Sequence, residues 1–161
     1  LVNRISSQLR VPKQVKTMDR RALLAMGATL ALDPVFPCAP ERRGIFLSQP
    51  LTDGAYPTLQ DSFSPNESNP ADWSTVSRRF PPLWLTWHLP NMSAAHLASQ
   101  FECCGPVHSF NSQWTTEKQV GELIDSCFHA GEADVILCIH IPPAQKEPLK
   151  ALARLATAPS G

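Results

Sequence analysis

Neither sign of charge is in surplus: Lys plus Arg number 14, Asp plus Glu number 14, and no basic run stands out. A face for phosphate backbones is therefore missing, and nucleic acid is not expected as a partner. No stretch reaches the ~18 consecutive apolar residues of a membrane span. Gly-x-Ser-x-Gly, the Walker loop and Gly-x-Gly-x-x-Gly are all absent. Their absence removes the usual signatures of serine hydrolases, phosphate loops and dinucleotide sites. Carboxylates are poorly placed for a glycosidase, which needs two facing each other across the bond. Asp53, Asp61, Glu67 and Asp72 lie in or beside a Pro-rich stretch, Glu102 follows a helix, and Glu117, Glu122 and Asp125 fall on a polar helix face. Cys38, Cys103, Cys104, Cys127 and Cys138 are odd in number and form no Cys-x-x-Cys knuckle. No cofactor is expected from them; a divalent metal is the alternative.

What is present fits one domain or part of one: 161 residues, 43% hydrophobic, with 16 prolines that imply long or irregular connections. The chain starts at Leu1 rather than Met, which leads to the expectation of a processed or partial chain. Met18-Asp-Arg-Arg21 precedes an uncharged run from Ala22 to Leu32. A positive region, a short apolar stretch and small residues resemble a twin-arginine export signal. That resemblance implies an upstream segment 1–17, a signal over 18–33, an α/β domain over 34–161 and a periplasmic or secreted protein. The alternative is an ordinary helix, capped by Thr17 and stopped by Asp33-Pro34, in a cytoplasmic protein.

Beyond residue 33 the pattern alternates. Gly44 to Ser48 reads as a strand, and a Pro-rich loop of about twenty residues follows it. Asn69-Pro70 starts a helix carrying Trp73, Val76 and Phe80. Leu83 to Leu89 is a strand, Ser93 to Phe101 a helix, and Val107 to Phe110 a brief strand. Thr116 and Gln119 form a capping-box pattern ahead of Val120, Leu123, Ile124, Cys127 and Phe128, with Gly131 just past the helix end. Asp134 to Ile141 is a β-branched strand. Leu149, Leu152, Ala153, Leu155 and Ala156 give a last helix its stripe. Such alternation predicts an α/β fold of βα units with a parallel sheet, either a small open sheet or a truncated (β/α) barrel.

Three histidines follow short apolar runs at expected strand ends: His88, His108 and His140. If the strands are parallel, all three gather at the carboxyl edge, where α/β proteins keep their chemistry. Imidazole there can transfer protons, bind a metal or donate to a sugar hydroxyl. They are the candidate catalytic residues, with Trp87, Trp114 and Asn111 as candidate substrate contacts. Packing within the core is the plain alternative for each.

Gly44-Ile-Phe-Leu-Ser-Gln49, the helix holding Trp73 and Leu83-Trp-Leu-Thr-Trp-His88 resemble the start of a secreted glycoside-hydrolase barrel of the mannanase type. Ala130-Gly131 through Ile139-His-Ile-Pro142 is similar to a stretch of divergent polysaccharide deacetylases, although the Asp ligands of that family are not recognisable. These likenesses imply an exported carbohydrate-active hydrolase. A non-catalytic carbohydrate-binding domain using the same edge and a reading frame without function are the other readings.

Overall fold

The computed structural model describes residues 2–50, 89, 91–142 and 151–159 of the chain. The Pro-rich loop, the helix begun by Asn69-Pro70 and the strand from Leu83 lie outside the described residues.

Four strands form one open, mixed sheet among the described residues: β1 (Arg43–Gln49), β2 (Val107–Asn111), β3 (Val135–His140) and β4 (Leu152–Thr157). The spatial order is β2-β1-β3-β4. β1 is parallel to both β2 and β3, and β4 runs antiparallel to β3. The α/β class and the three parallel strands agree with the sequence pattern; no barrel closure is present among the described residues.

β1 and β3 are apolar on both faces because both faces are covered. Ile45, Leu47, Leu137, Ile139 and Ile141 pack against α2 (Arg20–Leu32) and α3 (Met92–Phe101) through Ala22, Ala25, Met26, Ala94 and Leu97. Alternate residues Phe46, Ile136 and Cys138 face α4 (Glu117–His129) through Ile124 and Cys127. Each fully buried Ile, Leu or Phe contributes about 1.5–3 kcal/mol relative to exposure. The short helix α1 (Val2–Ser6) adds Ile5 to the first of these clusters.

α2 is the segment that resembles an export signal, and in this fold it is one wall of the core. Its N-cap is Asp19, whose Oδ1 accepts from Ala22 N at 2.7 Å; Thr17, expected as the cap, instead donates through Oγ1 to Gln14 O. Arg20 is exposed, but Arg21 is only 2% exposed. The Arg21 guanidinium donates to Asp19 Oδ2 from Nε at 2.6 Å and to Pro50 O from Nη1 at 2.9 Å. The start of α2 is thereby tied to the residue following β1. Asp33, expected to stop the helix, is its left-handed C-cap at φ 48°.

α4 follows its sequence signals closely. Thr116 and Gln119 make the reciprocal capping box, and Gly131 takes φ 67° just past the end. Gly105 permits a close approach ahead of β2, since a Cβ there would lie 2.9 Å from the carbonyl oxygens of both Arg43 and Glu41.

The last element corrects the sequence reading. Leu152–Thr157 is a strand paired with β3, not a helix. The run Leu-Ala-Arg-Leu-Ala-Thr satisfies both periods. Its Leu and Ala spacing fits a helical stripe, yet it also places Ala153 and Leu155 toward α2 and Leu152, Arg154 and Ala156 toward the α4 side. The exposed edge of β3 decides between them, because pairing there satisfies backbone groups that a helix would leave open.

Candidate ligand cleft

The chain passes from β1 to β2 on one side of β1, then returns across it to β3 on the other. The connecting helices α3 and α4 accordingly lie on opposite faces. In open α/β sheets this reversal parts the strand ends and leaves a crevice at their carboxyl edge. A cleft of about 280 Å³ lies over β1, β3 and β4, walled by the start of α4, and reaches the carboxyl end of β3.

Ser48 and His140 floor the cleft as register partners on neighbouring parallel strands. Ser48 is 7% exposed, and His140 is half-buried at the last position of β3. Neither side chain makes a hydrogen bond within the described residues. The loop before α4 and its first turn supply Thr115, Glu117 and Val120, and β4 supplies Leu152 and Arg154. Cys138 also lines the cleft; burial pushes its thiol above its ordinary pKa while Arg154 pulls it back. Cys103 is pushed up to about 12 by burial, and Cys127 is also raised by burial. All five cysteines are free thiols. The three raised ones are held protonated, so they are poor nucleophiles.

Of the two candidate histidines among the described residues, His108 and His140, one lines this cleft. His140 stands at the carboxyl edge as expected. His108 shares its face but is the second residue of β2, in register with Phe46. Two strand spacings and two residues along the strand put its Cα roughly 12 Å from that of His140. Its ring packs on Phe46 at 4.8 Å and 70°, and on Phe110 at 6.0 Å and 20°. That environment is packing, and the expectation that His108 ends a strand is corrected by the extension of β2 to Asn111. His88 and Trp87 lie outside the described residues.

Trp114 is 74% exposed and immediately precedes Thr115 at the cleft, although it is not part of the wall. Asn111 points to the opposite face, in register with Gln49. Its Oδ1 accepts from Gln113 N at 3.0 Å, an Asx turn that launches the loop toward α4. Among the described residues, Asn111 Nδ2, Ser109 Oγ and Ser112 Oγ are buried without a hydrogen-bond partner.

Sequence reasoning did not reach Ser48, Thr115 or Arg154; Glu117, expected on a solvated helix face, is exposed as expected and also borders the cleft. Ser48 could have been found as the polar residue near the end of an apolar strand, and Thr115 and Glu117 from their position flanking the capping box. Arg154 was hidden by the helical reading of its segment. Among the described residues no group of three or more His, Cys, Asp or Glu side chains is arranged to hold a metal ion, and no helix is long and apolar enough to cross a membrane. No protein-family model and no curated protein sequence matches the chain.

Proposed function

We propose that this chain is a ligand-binding α/β domain whose cleft between β1 and β3 takes one small organic molecule, with His140 as its proton-transfer group. The observation that carries this reading is the register pairing of Ser48 and His140 at one cleft, both without a hydrogen-bond partner among the described residues. Buried polar groups are normally satisfied within the fold. A hydroxyl and an imidazole kept open to one crevice are instead free to meet a ligand. The cleft volume of about 280 Å³ lies near the lower limit, ~300 Å³, of ligand pockets. A single compact molecule fits that size.

A carbohydrate-active hydrolase is the second reading, favoured by Trp114, whose exposed ring beside the cleft is available to stack on a sugar. Glycosidic cleavage calls for two carboxylates. Glu117 is the one carboxylate among the described residues of the cleft wall. Export is a proposal resting on the Met18–Asp33 pattern alone. The burial of Arg21, Ala25 and Met26 supports a helix retained in the folded chain. The mass of the protein recovered from a periplasmic fraction separates retention from cleavage.

The test of the main reading is a titration of the full chain with small polar organic molecules, followed by the imidazole resonances of His140, which are assigned with His140→Ala. Saturable shifts at His140 that weaken in Ser48→Ala support it. Saturable binding that leaves His140 unmoved refutes it.

A further inference from the structure

Among the described residues the cleft wall carries one arginine, Arg154, and one carboxylate, Glu117, both exposed to solvent. Three arginines elsewhere are in ion pairs, Arg10 with Glu102, Arg21 with Asp19, and Arg42 with Asp134, whereas Arg4 and Arg20, like Arg154, are exposed without one among the described residues. Arg154 and Glu117 both border the cleft, yet they pair neither with each other nor with any other described residue. The cation projects from β4, in register with Cys138. The anion occupies the first position of α4, held by the Thr116–Gln119 capping box. Both therefore stand on regular elements. Ser48, 7% exposed and without a hydrogen-bond partner among the described residues, lines the same cleft. Val120 and Leu152 supply apolar wall.

Resting on the ligand-cleft reading above, we infer that the cleft takes a small zwitterion with an apolar side group, the chemistry of a free aliphatic α-amino acid. The guanidinium of Arg154 donates to the ligand carboxylate, in the fork geometry that suits two carboxylate oxygens. Ser48 Oγ–H is the second donor available to that carboxylate. Glu117 accepts from the ammonium group. The side group lies against Val120 and Leu152. A ligand carrying only one charge leaves either Arg154 or Glu117 unmatched, and a dianion such as a phosphate monoester brings a second negative charge toward Glu117. Only a ligand of both signs complements the wall.

The experiment is calorimetric titration of the full chain with leucine, with 4-methylpentanoate (no amine) and with 3-methylbutylamine (no carboxylate), alongside the His140 resonances. Leucine is expected to bind about tenfold or more tightly than either single-charge analogue, the usual worth of a charged hydrogen bond. Arg154→Gln is expected to abolish the advantage over the amine, and Glu117→Gln the advantage over the acid. Arg154→Lys, which keeps the charge but not the fork, restores part of it. If the three probes bind with equal affinity and all shift His140, the zwitterion assignment is overturned while the cleft reading stands. If none of them, nor any neutral small molecule, shifts His140, both fall.

Discussion

Ser48 and His140 are Cα register partners across β1 and β3, on the face covered by α4. Their side chains share one crevice because β1 is flanked by parallel neighbours reached in opposite directions. Ser48 is nearly covered, and its hydroxyl finds no acceptor or donor in the described fold. Removing an unsatisfied hydroxyl costs little, because no hydrogen bond is lost. Ser48→Ala is expected to change unfolding free energy by no more than about 0.5 kcal/mol while weakening ligand binding. A loss of more than about 1.5 kcal/mol, the upper end for a net hydrogen bond, would show that the hydroxyl is structural.

Arg21 is a buried cation held by Asp19 and Pro50. Truncating it leaves the Asp19 carboxylate, 6% exposed, without its counter-charge. Arg21→Ala is expected to destabilise the fold by about 3–5 kcal/mol, as for other broken buried pairs. Urea denaturation measures this directly. Arg20→Ala, at the exposed neighbouring position, is the control and is expected to be nearly silent.

His96 on α3 is 5% exposed, and its Nε2 donates to Thr17 O at 3.3 Å. Burial is the largest influence on it and holds its pKa below the ordinary 6.5, against the opposing pull of Thr17 O and Asp19. The unfolded chain therefore takes up this proton at a higher pH than the folded one. Its contribution is full above pH 6.5 and is lost as pH falls below 6.5 toward the folded value. His96→Gln should flatten the stability profile in that acidic window. An unchanged slope in the variant would show that other groups set the acid response.

Two glycines separate steric need from helix propensity. A methyl at Gly105 would sit 2.9 Å from two backbone carbonyl oxygens, whereas one at Gly121 in α4 meets nothing within 4 Å. Gly105→Ala is expected to cost about 1–3 kcal/mol through the forced backbone shift. Gly121→Ala is expected to stabilise by roughly 0.5–1 kcal/mol. Thermal unfolding of both variants checks the opposite signs.

Elements whose signals are local were legible in the sequence. The Thr116–Gln119 box, the stripe from Val120 to Phe128 and Gly131 together define α4 almost to the residue. β1 and β3 stood out because both of their faces are buried and so read as unbroken apolar runs. β4 did not, since its side chains fit two periods and only pairing with β3 selects one. The candidate site was legible at His140, whose strand ends at the cleft, and not at His108, whose place depends on register. Phe46 opposite His108 and Ser48 opposite His140 are relationships between strands that spacing along a chain does not contain. Arg154 and Glu117 meet one cleft only after β4 has paired and α4 has crossed β1.

Crystallographic soaking of the full chain with a set of small polar and zwitterionic compounds tests the central claim most directly. Density is expected between Ser48 and His140, bounded by Thr115 and Arg154, and absent in crystals of His140→Trp, whose larger ring fills the crevice. Compounds that bind repeatedly elsewhere on the surface and leave this crevice to solvent would contradict it.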